Sequence, residues 1–165
     1  MKLTRFPIVQ QHTRRSFMTK GLRAGLLCGI APYVKAATPT KYRTALIGCG
    51  WWGMNILREA MAADRAKVVG LSDVYERPLL VSQDEVNQLT GDTPNIYKDY
   101  RELLKKERPE IVIIATPDHW HALPCIDALK MGAHVYVEKP TSHTIDESRS
   151  MLHAAEAANR AVQVG

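Results

Sequence analysis

Apolar runs of strand length alternate along the chain with segments whose apolar positions recur at helical spacing. The runs fall at residues 44–47, 67–71, 111–115, 133–137 and 161–164. They are rich in Val and Ile and nearly continuous, as expected for parallel strands buried on both faces. Helical segments are predicted around residues 54–63, 78–89, 100–106, 122–131 and 145–158, with a short extra strand at 95–97. Gly132 marks a helix stop, and Pro124 fits a helix that begins only near residue 121. In the last helical segment Asp146, Glu147 and Glu156 form a polar face, and Ile145, Met151, Leu152 and Ala155 an apolar one. Strands alternating with helices of this length need right-handed crossovers, which predicts an α/β fold with a doubly wound parallel sheet.

Composition adds limits. The 165 residues are 45% hydrophobic and 24% charged, enough for one core. No stretch approaches the roughly 18 consecutive apolar residues that cross a bilayer, so an integral membrane protein is excluded. Cys28, Cys49 and Cys125 are too far apart for a CxxC pair and too few for a disulfide framework. His12, His134, His143 and His153 show no metal-ligand spacing, so no metal is expected.

The net charge of +5 belongs to one end of the chain. Residues 1–36 hold Lys2, Arg5, Arg14, Arg15, Lys20, Arg23 and Lys35 and no acid; removing those seven from the 22 leaves 15 basic against 17 acidic residues. A body with that balance has no electrostatic reason to follow phosphate backbones, and nucleic-acid binding is not expected. The basic end itself has the order of a secretory signal. Arg14-Arg15-Ser16-Phe17-Met18 precedes a weakly apolar run, which closes on Val34-Lys35-Ala36 with short side chains at the cleavage positions. Paired arginines before Phe resemble the twin-arginine type, although Met18 stands where Leu is usual and Lys20 comes one place late. Leu27 is too bulky for a lipid-anchor motif at Cys28, so no membrane anchor is expected. The expected organisation is therefore an export signal over 1–36, engaging the twin-arginine machinery and sending the chain to the periplasm or outside, followed by one nucleotide-binding domain over 37–165.

Chemistry concentrates where predicted strands end. Gly48-Cys49-Gly50-Trp51-Trp52-Gly53 lies between a strand and a helix. In a Rossmann βαβ unit the first glycine allows the tight turn, the second lets a pyrophosphate approach the backbone, and the third lets helix pack on strand. The helix N-terminus offers unpaired N–H groups and a positive dipole end to the phosphates. Asp73 ends the next strand, 25 residues after Gly48, where a carboxylate accepts both hydroxyls of a ribose and repels a 2′-phosphate. NAD is thus favoured, with NADP left open because Arg77 stands four residues further on. Of Trp51 and Trp52, at least one is expected over the loop; Trp52 is equally compatible with core packing. Two more polar clusters, Thr116-Pro117-Asp118-His119-Trp120-His121 and Glu138-Lys139-Pro140, follow strands and face the same cleft by topology. His121 is open between a site role and a helix cap. Asp118 reads as a cap, and His119 as exposed.

From about Tyr42 to Gly165, the glycine loop, Asp73, Thr116-Pro117 with His121, and Glu138-Lys139-Pro140 together resemble the nucleotide-binding half of the Gfo/Idh/MocA oxidoreductases. The resemblance implies that Thr116 and Pro117 line the nicotinamide-ribose side with His121 nearby. It implies that Glu138 hydrogen-bonds a cofactor ribose and that Lys139 handles the substrate hydroxyl proton, aimed by Pro140. An ammonium suits that task when a desolvated cleft favours its neutral form. The implied reaction is hydride transfer between a nicotinamide and a sugar or cyclitol alcohol. In the family a second α+β domain carries the substrate site, and the intact protein is expected to be a homo-oligomer. Residues 161–165 read as a sixth strand cut at its end, so that domain is expected to be absent from this chain. Two other readings stay open: glycoside hydrolysis through transient oxidation by bound NAD, and a non-catalytic nucleotide-binding module.

Overall fold

Alternate side chains of the central strands point to opposite faces, and both faces are apolar, so helices must cover both. In the computed structural model, which describes residues 40–165, this is the arrangement. The signal expected at 1–36 lies outside the described residues. Strands β1 (Tyr42–Ile47), β2 (Ala66–Ser72), β3 (Asn95–Tyr97), β4 (Ile111–Ile114), β5 (His134–Val137) and β6 (Val162–Val164) are all parallel. Their order across the sheet is β3-β2-β1-β4-β5-β6, the doubly wound order of a Rossmann domain. The helices between them are α1 (Trp51–Ala62), α2 (Glu76–Thr90), α3 (Tyr100–Glu107), α4 (Ala122–Lys130) and α5 (Ile145–Ala158). A single 3-10 turn, Asp118–Trp120, leads into α4.

Two apolar clusters sandwich the sheet. On one side Leu46, Val68, Leu71 and Ile113 meet Met54 and Leu57 of α1 and Leu79 and Val86 of α2. On the other, Ala45, Ile47, Val112, Ile114, Val135 and Val137 meet Leu103 and Leu104 of α3, Cys125, Ala128 and Leu129 of α4, and Met151 of α5. Neighbouring residues of β1 and β4 thus serve opposite clusters, as the continuous apolar runs require.

The boundaries differ from the sequence expectation chiefly at α1. It begins at Trp51 rather than at 54, because Gly50 is its N-cap and the Gly50 carbonyl already accepts from Met54 N at 3.0 Å. The expected apolar face of α5 also needs correction. Ile145 and Leu152 are exposed, and the helix packs through Met151, Ala154, Ala155 and Ala158. Small residues let it lie close against α4. Its start is fixed by a capping box: Glu147 N donates to Thr144 Oγ1 at 3.2 Å, and Thr144 N to Glu147 Oε2 at 2.9 Å. Gly132 ends α4 with a positive φ, as expected. No helix among the described residues is long and apolar enough to cross a membrane.

Leu46, at the centre of β1, has no solvent exposure. Leu46→Ala is expected to cost about 3 kcal/mol, read as a lower urea midpoint at unchanged slope. Leu152→Ala on the exposed side of α5 is expected to stay within about 0.5 kcal/mol.

Candidate functional site

The β1–α1 turn is shaped by two backbone approaches. Gly48 has φ +94°, and a Cβ on it would stand 2.6 Å from the Ala115 carbonyl oxygen. A Cβ on Gly53 would collide with the Gly48 carbonyl oxygen. Gly48 N donates to Ser72 O at 2.8 Å, tying the turn to the end of β2. Gly50 is different: nothing lies within 4 Å of where its Cβ would be. Its open side faces a cleft of about 710 Å³ that runs along the carboxyl ends of β1, β2 and β4.

Asp73 fastens the second wall. Its Oδ2 accepts from Cys49 N at 2.8 Å and its Oδ1 from Tyr75 N at 2.9 Å. Both oxygens keep further lone pairs for a ligand hydroxyl. Cys49 itself faces inward, with Sγ 3.5 Å from Ser72 O. Burial, helped by the nearby Asp73 charge, pushes its thiol up to about 12, so it supplies backbone rather than a nucleophile.

Gly48, Gly50, Asp73, Thr116 and Pro117 line this one cleft. Cys49 and Gly53 are buried behind its wall. Thr116 donates its hydroxyl to Trp120 O at 3.0 Å, which folds the 3-10 turn over the β4 end. Lys98, Asp99, Arg101 and Trp120 also line the cleft, beyond the residues the sequence motifs mark. The strand-end rule applied to the short β3 would have pointed to the first three, and the aromatic between His119 and His121 to the fourth.

Trp51 and Trp52 occupy the first turn of α1, 77% and 46% exposed, with ring centroids 5.3 Å apart. Core packing of Trp52 is thereby set aside; neither ring is among the residues lining the cleft. Beyond β4, Glu138 and Lys139 leave the end of β5. Glu138 is only 6% exposed and accepts from Tyr136 Oη at 2.9 Å and from Lys139 N at 3.2 Å. Burial alone raises its pKa; the Trp52 indole, the Tyr136 phenol, the Lys139 amide and the Lys139 charge outweigh that and hold the carboxyl below its ordinary range. Gly165 packs against it, where a Cβ would come 2.5 Å from Glu138 Oε1. Lys139 is exposed, so the desolvated setting expected for its ammonium is not present here. The Lys139–Pro140 peptide is cis.

His121 is 1% exposed and is not a side-chain cap. Its Nδ1 lies 2.7 Å from Pro140 O and its Nε2 2.7 Å from Thr116 O. Asp118 caps nothing in α4 either. It is held below its ordinary range by the His119 backbone N–H and then by the His143 ring. No group of three or more His, Cys, Asp or Glu among the described residues is placed to hold a metal.

Two outcomes follow from this geometry. Gly53→Ala gains helix propensity of about 1 kcal/mol but forces a backbone collision, so a net loss of about 2–3 kcal/mol is expected in urea unfolding. Gly50→Ala should stay within about 1 kcal/mol, the cost of a poorer N-cap. Because the folded pKa of Glu138 is depressed, its contribution to stability is present above 4.5 and fades as pH falls below it. Glu138→Gln is therefore expected to flatten the fall in melting temperature between about pH 5 and 3, measured by thermal scans.

The description "Oxidoreductase family, NAD-binding Rossmann fold" matches residues 42–165. Glycosyl hydrolase family 109 protein 1 of Akkermansia muciniphila is 32% identical over 120 residues, covering 70% of this chain and 25% of that protein. The WlbA dehydrogenase of Chromobacterium violaceum, solved with NADH and UDP-GlcNAcA, superposes with a TM-score of 0.65 at 27% identity, over 78% of this chain and 36% of that one. Myo-inositol 2-dehydrogenase of Lactobacillus plantarum shares the fold, with a TM-score of 0.67 at 23% identity, over 76% of this chain and 36% of that one. The chain spans about a quarter of the curated relative and about a third of each of these structures. Glycine turn, strand-end acid and parallel sheet thus agree with the match along the chain, which belongs to the Gfo/Idh/MocA oxidoreductase family through its NAD-binding Rossmann domain.

Proposed function

We propose that this chain is the nucleotide-binding part of an exported enzyme that moves a hydride between NAD and a secondary alcohol carbon of a sugar or cyclitol. The observation that carries the reading is one sheet edge holding three unlike groups. These are the open backbone at Gly50, the Asp73 carboxylate fixed at the end of β2, and the Lys139 ammonium beyond β5. The α1 N-terminus and the amides around Gly50 suit a diphosphate. Asp73 suits a 2′,3′-diol and disfavours a 2′-phosphate, which favours NAD over NADP. Bound NAD supplies the hydride acceptor. Thr116 and Pro117 bound the nicotinamide end, and Lys139 takes or returns the hydroxyl proton of the substrate. A substrate domain covering Lys139 would provide the desolvation that its exposed position lacks. Residues 1–36 direct the folded domain, 37–165, through the twin-arginine route to the periplasm. The intact protein is a homo-oligomer, and its nucleotide stays bound between half-reactions.

The sugar-nucleotide ligand of the WlbA dehydrogenase supports a carbohydrate substrate. A second reading is favoured by the name of the curated relative, a glycosyl hydrolase. There the same hydride transfer would be transient, with the hydride returned after the glycosidic bond breaks.

Titration with NADH, followed by tryptophan fluorescence, is expected to give saturable quenching through Trp51, Trp52 and Trp120. Asp73→Ser should weaken binding by about tenfold or more, the loss of hydrogen bonds to a charged acceptor, and narrow the gap between NADH and NADPH. Absence of quenching would sink the reading. In the intact protein, net NADH formation from a free sugar marks the dehydrogenase, and glycoside cleavage without net NADH marks the hydrolase.

A further inference from the structure

His121 makes contacts that an ordinary neutral imidazole does not satisfy. Both ring nitrogens lie 2.7 Å from backbone carbonyl oxygens, those of Pro140 and Thr116. A carbonyl oxygen only accepts, whereas a neutral imidazole has one N–H donor and one lone pair. Both contacts are hydrogen bonds only when the ring carries two protons. With one proton, one contact becomes a lone pair facing a lone pair at 2.7 Å, in a place with 1% exposure and no room for water to intervene.

The two carbonyls belong to the two loops that leave β4 and β5. Thr116 lines the cleft, and Pro140 directly follows Lys139. The backbone of His121 is held independently, by His121 N donating to Asp118 O at 3.1 Å and Cys125 N donating to His121 O at 3.2 Å. The ring is therefore a strut on a fixed base, and its two ends set the separation between the cleft wall and the Lys139 turn. We propose that His121 is a positioning residue that clamps these two loops as an imidazolium. Loss of one proton frees one loop. This rests on the reading of the cleft as the NAD site only for its consequence in binding; the clamp itself does not need it.

The ionisable groups on the elements packed around the ring are few. They are Asp118 and His119 on the 3-10 turn, Glu138 and Lys139 at the end of β5, His143 in the loop before α5, and Asp127 and Lys130 along α4. Asp118 faces His119 and His143, Asp127 accepts from Tyr100 Oη, and Glu138 is held by Tyr136 and Lys139 N. Those partners leave the two carbonyls as the acceptors for the His121 ring.

Ring nitrogen NMR on the 15N-labelled chain, titrated from acidic to alkaline pH, tests the clamp. The His121→Gln spectrum identifies the signals. A ring with two protons whenever the amides of Thr116, Asp118, Thr141 and Ser142 keep their positions, with those amides shifting together once a proton leaves, is the expected result. A ring with one proton while both sets of amides stay in place would overturn the proposal. NADH titration supplies the second arm. His121→Gln, whose single amide nitrogen cannot stand in the places of both ring nitrogens, should bind NADH about tenfold more weakly. It should also lose the pH dependence that the ring proton gives the natural chain. Unchanged affinity and pH profile in His121→Gln would refute the positioning role. If the natural chain binds no NADH, the cofactor reading fails and the NMR result still decides the clamp. If the variant does not fold, the natural chain's ring protons decide it alone, with the signals identified by assignment.

Discussion

Backbone meets backbone where β1 hands over to α1, and the carboxyl edge of the sheet is built on that contact. The Gly48 carbonyl sits where a side chain on Gly53 would begin, and the Ala115 carbonyl sits where one on Gly48 would begin. This approach brings α1 down onto the sheet, aims its first N–H groups across the strand ends, and leaves Gly50 bare toward the cleft. Everything else at that edge is braced against it. Asp73 holds Cys49 N, Gly48 N holds Ser72 O, and Ala115 N holds Ile47 O. The turn is thus stitched to strands on both its flanks.

The two apolar clusters explain why the edge stays put. Each central strand contributes to both, so the sheet cannot tilt toward one helix layer without opening the other. Buried polar side chains are few, and each has a partner: no buried side-chain nitrogen or oxygen among the described residues is left unpaired. The site is built from such partnered groups. Asp73 holds backbone while lining the cleft, and the buried Glu138 and His121 hold backbone of the loops that leave β5 and β4, which makes the cleft walls part of the fold.

Much of this was legible in the residue pattern. Continuous Val and Ile runs marked the strands, and alternation with helical segments gave the sheet its class, because burial on both faces leaves no polar alternation to read. Helix starts were harder. The bulky Trp51 and Trp52 disguised the first turn of α1, whose signal was the N-cap Gly50. Hydropathy marks Ile145 and Leu152 as a packing face, yet Met151 and alanines do the packing, since hydropathy does not record how close a helix lies. The cleft-lining glycines, Asp73, Thr116 and Pro117 followed from spacing and strand ends. The burial of Glu138, the exposure of Lys139 and the double contact of His121 did not. They depend on neighbours distant in the chain, and the partners of His121 are backbone carbonyls that carry no residue identity.

Cys49 and Cys125 illustrate a consequence of the sandwich. They sit in opposite clusters, one on each side of the sheet, with burial pushing both thiols up to about 12. Neither forms an appreciable thiolate at neutral pH, and the sheet between them bars a cross-link while the fold is intact. Oxidants and alkylating reagents therefore find these two only in chains that have lost the sandwich, so labelling at Cys49 and Cys125 reads out unfolding itself.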